Sequence, residues 1–281
     1  MFKRVMVAVV GLPLLILILG WAPSWATMLL LAAMCAIGAW ELMHAAAGER
    51  GRPLIPLTVI AAALVPVCVY AEVSIENTEL TALPVLPLTA LLGAVLVLAL
   101  FVVSICRYGG ERAVPFAALT TAIFAGLVFP LMLSCMLRLR MVPYIGMLLV
   151  FFPLCISFGS DTFAFFAGLL FGKHKLTPVS PKKTVEGAIG GLIGGLIGMM
   201  IMPFVGGMVI SDAFMSPTMA VAFGLLGSVV SQIGDLSFSV IKREFGVKDY
   251  GNLLPGHGGI LDRFDSVTFV APFVWLLLEL I

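Results

Sequence analysis

Apolar runs of eighteen residues or more recur through this 281-residue chain, and no other feature limits its fold as tightly. A run of that length matches, as an α-helix, the roughly 30 Å hydrocarbon core of a bilayer. With 61% hydrophobic and 11% charged residues, little is left for a large soluble domain. The chain is therefore expected to be all-α, a polytopic membrane protein with about nine transmembrane helices. The runs lie near 5–22, 25–46, 54–72, 84–106, 113–137, 142–171, 184–207, 216–242 and 263–280. The sixth is long for one crossing, so it tilts, protrudes or breaks near Ser157-Gly159. The basic-then-apolar start resembles a signal peptide, but the run passes Gly20 without a small-residue cleavage site. It is read as a first helix.

Basic residues in short loops orient such a chain. With the N-terminus inside, Lys3, Arg4, Arg50, Arg52, Arg107, Arg112, Lys173, Lys175, Lys182, Lys183, Lys242, Arg243, Lys248 and Arg263 are all cytoplasmic. Only Arg138 and Arg140 fall outside, and nine spans put the C-terminus outside. Loops 172–183 and 243–262 then emerge on the same side. The chain divides into 1–137, about five N-terminal helices, and 138–281, a catalytic region carrying those two loops. Cys35, Cys68, Cys106, Cys135 and Cys155 show no metal-ligand spacing and read as small apolar residues. Gly187, Gly191 and Gly195 repeat at helical spacing, which predicts a smooth face for close helix packing.

Against this background Asp161 and Asp235 stand out. A carboxylate at membrane depth costs on the order of 3 kcal/mol, so it needs a polar cavity, a cation or a basic partner. A structural ion pair is the plain alternative; the nearby Ser157, Ser160, Thr162, Ser231 and Gln232 favour a working site. The loop 172–187 is basic. A positive-inside anchor accounts for its charge, but not for Ser180-Pro181-Lys182-Lys183-Thr184 standing directly before a helix. Thr184 is expected to cap that helix, with Glu186 in its first turn. A helix start flanked by lysines suits a phosphate.

The densest polar stretch, 231–265, adds Lys242, Arg243, Lys248, Asp249, a glycine-rich loop around His257, and Asp262-Arg263-x-Asp265 entering the last helix. Asp262 and Asp265 share a helix face if the helix has begun. Carboxylates are hard ligands suited to Mg²⁺, which also bridges to substrate phosphates. His257 serves as a phosphate donor, an acid/base or a loop staple. Lysines, Mg²⁺ and a membrane cavity together suggest phosphoryl or nucleotidyl transfer on a lipid.

Residues 239–265 closely resemble the signature of the phosphatidate cytidylyltransferase (CDP-diacylglycerol synthase) family, S-x-x-K-R-x-x-x-x-K-D-x-G-x-x-x-P-x-H-G-G-x-x-D-R-x-D. The match falls at Ser239, Lys242, Arg243, Lys248, Asp249, Gly251, Pro255, His257, Gly258, Gly259, Asp262, Arg263 and Asp265. Residues 158–187 also resemble the family, so the likeness covers about the C-terminal half. Phe238 departs from it, since some relatives carry an acid there. The resemblance implies CTP + phosphatidate → CDP-diacylglycerol + pyrophosphate, with Mg²⁺ on Asp235 and Asp262. It implies a catalytic set of Asp235, Asp262, Lys242, Arg243, His257 and Asp265. Asp161, Ser180, Lys182, Lys183, Thr184, Glu186, Lys248, Asp249, Gly258, Gly259 and Arg263 would contact substrates. The partners expected are CTP, phosphatidate, membrane lipid and a second copy of the chain, with no nucleic acid, in a bacterial inner membrane. The D-G-x-x-A-R pattern of CDP-alcohol phosphotransferases is absent. An ion-coupled transporter using Asp161 and Asp235 is the rival of another class; no paired repeat supports it.

Overall fold

The computed structural model describes residues 2–78, 87–111, 113–210, 214–251, 253 and 258–280, with side chains from Gly11 onward. His257, Pro255 and Arg112 lie outside the described residues, as do the side chains of Lys3 and Arg4. Within them the fold is helical: α1 (Phe2–Gly20), α2 (Ser24–Ala46), α3 (Gly48–Glu76), α4 (Leu88–Cys106), α5 (Phe116–Arg140), α6 (Gly146–Phe171), α7 (Val185–Val209), α8 (Pro217–Glu244) and α9 (Leu261–Leu280). One isolated bridge, Lys175 to Thr184, is the extended pairing among the described residues.

Seven of these helices, α2 to α8, are long and apolar enough to cross a bilayer. The described side chains of α1 give only the shorter apolar stretch Gly11–Gly20. Helix α9 has 20 residues but opens with Asp262, Arg263 and Asp265. Large apolar side chains point outward all along the spans, Leu98 at 66% exposure and Phe204 at 66% among them. In water that surface would be costly; against lipid tails it is the appropriate one.

The chain forms two compact units. The first comprises Met1–Pro143 with Phe245–Arg263, and the second Tyr144–Glu244 with Phe264–Ile281. In the first, Leu31, Cys35, Leu42, Val65, Phe129 and Leu133 are buried at the centre. Gly38 lets the Phe129 ring approach α2, because a Cβ there would meet ring atoms at 2.8 Å. Helix α5 widens over Phe124–Val128, where the Phe129 N–H reaches back five residues to Phe124 O, one residue before Pro130 removes a donor.

Two buried acids in this unit escape the sequence reading, which within apolar surroundings singles out Asp161 and Asp235. Glu41 of α2 is 1% exposed, and Glu72 of α3 is 5% exposed. Glu72 Oε1 accepts from Thr89 N at 2.7 Å and Thr89 Oγ1 at 2.9 Å, and Oε2 accepts from Arg138 at 3.1 Å. Arg138 also lies 4.0 Å from Glu76. Arg140, next to it, donates to Ala22 O at 2.8 Å.

In the second unit, Phe152 packs edge-on against Phe223 with ring centroids 5.7 Å apart, and Met199, Phe238, Val270 and Val274 complete the core. The break in α6 falls at Val150-Phe151 rather than near Ser157-Gly159. Pro153 has no N–H to continue a helix but suits a first turn, so the second segment, Phe152–Phe171, starts there. Gly159 stays helical and serves another purpose. It faces Gly194 of α7, so closely that a Cβ on either would strike the other's carbonyl. Gly190 and Gly198 extend the same contact along α6, while Gly195 faces Gly224 and Ser228 of α8. The glycines thus smooth two faces of α7, one more than the Gly187-Gly191-Gly195 spacing predicts.

Candidate active site

The second unit holds a cavity of about 470 Å³ bounded by α6, the 172–184 loop, α7 and α8. Its walls are apolar, with Phe165, Leu169 and Leu176, and its polar groups converge: Asp161, Ser180, Lys182, Lys183 and Asp235. This is the usual make-up of a small-molecule site, a greasy cleft with a few placed polar groups.

Local sequence explains how the loop presents its lysines. Leu176 N–H donates to Lys183 O at 3.0 Å, Val185 N–H to His174 O at 2.9 Å, and Lys183 N–H to Ser180 O at 3.0 Å. The strand-like return and the Ser180–Lys183 turn bring Lys182 and Lys183 to the start of α7. Thr184 caps α7 as expected, its hydroxyl accepting from Gly187 N at 3.1 Å. Glu186 accepts from Lys173 N at 3.1 Å, from His174 N at 3.3 Å and pairs with His174 Nδ1 at 2.6 Å. It holds the loop's entry and is not among the cavity's lining residues.

At the cavity wall, the Lys183 ammonium pairs with Asp235 Oδ2. That oxygen is buried and accepts no other donor among the described residues. Burial pulls the Lys183 pKa below the ordinary lysine value; the charges of Asp161 and Asp265 oppose this and Lys242 adds to it. Three carboxylates therefore act on one ammonium. Gln232 Nε2 donates to Ala188 O at 3.1 Å and ties α8 to α7 beside the cavity. The hydroxyls of Ser157, Ser160 and Ser231 are buried without a protein partner among the described residues. Arg243 Nε donates to Val179 O at 3.3 Å, so the end of α8 lies against the same loop. Asp265 is buried and accepts from Ser266 N at 2.8 Å. Phe238 is fully buried with Phe269 edge-on at 6.2 Å.

The remaining signature residues belong to the first unit. Lys248 and Asp249 are exposed. Asp262 Oδ2 accepts from Tyr250 N at 2.8 Å and Gly259 N at 3.0 Å. Gly258 has φ +83°, a left-handed backbone that glycine adopts without strain, and a Cβ there would meet Asp262 Oδ2 at 2.9 Å. Glu41 holds the next residues of this turn, accepting from Ile260 N and Leu261 N at 3.1 Å each. Sequence reasoning passed it over, since it stands near the end of the run 25–46 and its partners lie 219 and 220 positions away.

The donors near Lys183 are all hard oxygens. Among the described residues no three His, Cys, Asp or Glu side chains are grouped as a closed metal cage. That set fits Mg²⁺ in its usual mode with nucleotides, in which one or two carboxylates are joined by substrate phosphates.

A multispanning membrane protein with a cavity lined by lysines and carboxylates is the class these features define. The chain belongs to the cytidylyltransferase family, whose model matches residues 2–281. It is 39% identical over 160 residues to the phosphatidate cytidylyltransferase of Bacillus subtilis (strain 168), covering 57% of this chain and 56% of that protein. It is 46% identical over 134 residues to that of Staphylococcus saprophyticus, and 44% identical over 134 residues to that of Staphylococcus epidermidis. Each of those two alignments takes in 47% of this chain and 50% of the relative. The chain thus spans about half the length of the curated relatives it matches.

Proposed function

We propose that this chain is a phosphatidate cytidylyltransferase, forming CDP-diacylglycerol and pyrophosphate from CTP and phosphatidate. The observation that carries the reading is the Lys183–Asp235 pair in a cavity with apolar walls. A ligand with a phosphate head and acyl tails matches both parts. An anionic oxygen of phosphatidate attacks the α-phosphorus of CTP; the P–O bond to the β-phosphate breaks and pyrophosphate leaves. The nucleophile is already ionised, so no strong general base is required.

Lys183 and Lys182 hold phosphate oxygens, and Ser180 and Thr184 border them. Lys242, Arg243 and Arg263 supply further positive charge. Phe165, Leu169 and Leu176 exclude water beside the reacting groups and face the acyl chains. Asp235 and Asp262 are the carboxylates that would hold Mg²⁺, with Asp161 and Asp265 adding negative charge near Lys183. When bound, the ion polarises the phosphates and neutralises the charge that builds on the leaving pyrophosphate. Assignment of Asp235 and Asp262 to one ion, and of His257, Lys248, Asp249 and Gly258-Gly259 to the substrates, rests on the signature.

Nine crossings, N-terminus inside and C-terminus outside in a bacterial inner membrane, complete the proposal, together with a homodimer. Single cysteines at 176 and 252 should label from the cytoplasmic side and one at 77 from outside; labelling of 176 and 252 from opposite sides would end the single-site reading. The activity itself is tested with purified protein, radiolabelled CTP, phosphatidate and Mg²⁺. Label should pass into a lipid-extractable product with equal release of pyrophosphate. Sodium- or proton-driven uptake by proteoliposomes, with no such product, would favour the transporter instead.

A further inference from the structure

The turn that carries Gly258, Gly259, Asp262 and Arg263 is gripped by a residue more than two hundred positions away. Glu41 is 1% exposed, near the end of α2. Its Oε1 accepts from Ile260 N and its Oε2 from Leu261 N, at 3.1 Å each. Those are among the N–H groups that the start of α9 leaves without helical partners. A carboxylate there is also favoured by the helix dipole. The backbone is pressed close against the acid at two positions, since a Cβ at Gly251 or Gly259 would collide with the carboxylate. Asp262 Oδ2 in turn accepts from Gly259 N at 3.0 Å and Tyr250 N at 2.8 Å. The backbone from 259 to 261 thus gives its N–H groups to two carboxylates, Gly259 N to Asp262 and Ile260 N and Leu261 N to Glu41.

We propose that Glu41 is a positioning residue. It fixes the Gly258–Leu261 turn so that Asp262 and Arg263 enter α9 in one register and meet the substrate phosphates together. The inference rests on the reading of Asp262 and Arg263 as working residues, and assigns a task to a helix that the signature does not include. Two ligated N–H groups alone would make Glu41 a helix cap. The clamp shared with Asp262 is what ties it to the site: any slip of the turn moves the Asp262 carboxylate with it.

Glu41→Gln keeps the size but replaces one acceptor oxygen by an amide that opposes a backbone N–H. In the full-length protein, amide exchange across 258–263 should speed up about tenfold or more. The Mg²⁺ concentration for half activity and the KM for CTP should rise about 10–100-fold, the cost of removing an outer-shell support. A purely structural residue would lower the melting temperature and the active fraction but leave both constants of the active remainder unchanged, and that result would overturn the inference. Unchanged exchange across 258–263 would overturn it too. Where Glu41→Gln does not fold, Gly251→Ala pushes a methyl against the same carboxylate and should give the same signature; wild-type exchange and constants in that variant would count against the clamp. Asp262→Ala separates the two levels. Full turnover by Asp262→Ala would sink the site assignment and the inference with it. A dead Asp262→Ala beside wild-type constants in Glu41→Gln would sink the inference alone.

Discussion

Each unit of this protein sets an acid against a base, and the two pairs are finished differently. In the first unit Glu72 is closed off: Thr89 gives one oxygen two donors, Arg138 takes the other, and 5% of the residue is exposed. In the second, Asp235 meets one ammonium at the wall of a 470 Å³ cavity, and its buried oxygen accepts nothing else among the described residues. Buried charge in a span therefore does not by itself mark chemistry. A saturated acid holds helices together. An acid with a single exchangeable partner and space beside it is ready to change partners when a cation and phosphates arrive.

The largest test of that contrast is removal of each acid's charge. Asp235→Asn should lower turnover about 10²–10³-fold, the scale for loss of one preorganised electrostatic group. Asp262→Asn should do the same, and the double variant should be little worse than either, because parts of one device are not additive. Losses that multiply, with Mg²⁺ dependence unchanged in each single variant, would separate the two carboxylates. Glu72→Gln should behave in the opposite way. It takes from Arg138 the nearer of two carboxylates, Glu76 at 4.0 Å remaining, and should cost at most about 3–5 kcal/mol of stability, the scale of other broken buried pairs. A detergent melt should show the drop while kcat/KM of the folded fraction holds. A Glu72→Gln protein that is stable but inactive would erase the distinction.

The sequence made one half of this contrast visible and hid the other, for reasons of reach. Helix positions follow from long apolar runs: the expected 25–46, 184–207 and 216–242 appear as Ser24–Ala46, Val185–Val209 and Pro217–Glu244. Thr184, Lys183 and Asp235 were legible because a cap, a lysine pair and an acid in an apolar run each carry a local signal. Glu72 and Glu41 sit close to helix ends, where an acid passes for a headgroup-level residue. Their partners are remote: Arg138 is 66 positions from Glu72, and Leu261 is 220 from Glu41. No local pattern encodes such a pairing. The α6 break was misplaced because Ser157-Gly159 looks weak as helix, whereas the close approach of Gly194 makes Gly159 useful there.

A second, smaller effect sharpens the comparison at the cationic side. Lys183 is partly buried on Asp235, while Lys182 is exposed at the same cavity. A charge-assisted bond to phosphate is worth about 1.5–3 kcal/mol. Lys183→Ala should therefore cut kcat/KM for CTP about 10–100-fold without raising the Mg²⁺ requirement, since it also removes the ammonium that competes at Asp235. Exposed charges contribute about 0–1 kcal/mol, so Lys182→Ala should cost about fivefold or less. Equal losses from the two would mean that burial does not set their roles, and wild-type kcat/KM in both would return them to membrane anchoring.

The smallest expected effect comes from two threonines at helix starts, one in each unit. Thr89, second residue of α4, sends its hydroxyl and its N–H to Glu72. Thr184 turns its hydroxyl back onto its own helix, accepting from Gly187 N. The first therefore supports a side chain and the second a backbone, although Thr184 also borders the cavity. Replacing a capping threonine by alanine costs about 1 kcal/mol. Thr184→Ala should lower the melting temperature by about 2–4 °C on the scale for large domains, and Thr184→Ser should restore it. If the hydroxyl serves only as a cap, KM for CTP and for phosphatidate stays within about twofold of the wild type. Thr89→Ala should give a melting shift of similar size, because the Thr89 N–H remains to hold Glu72 and only one of the acid's donors is lost. A KM rise in Thr184→Ala that Thr184→Ser reverses, without a matching melting shift, would move Thr184 from the scaffold to the substrate. The finished and the unfinished acid would then differ in their surroundings as well as in themselves.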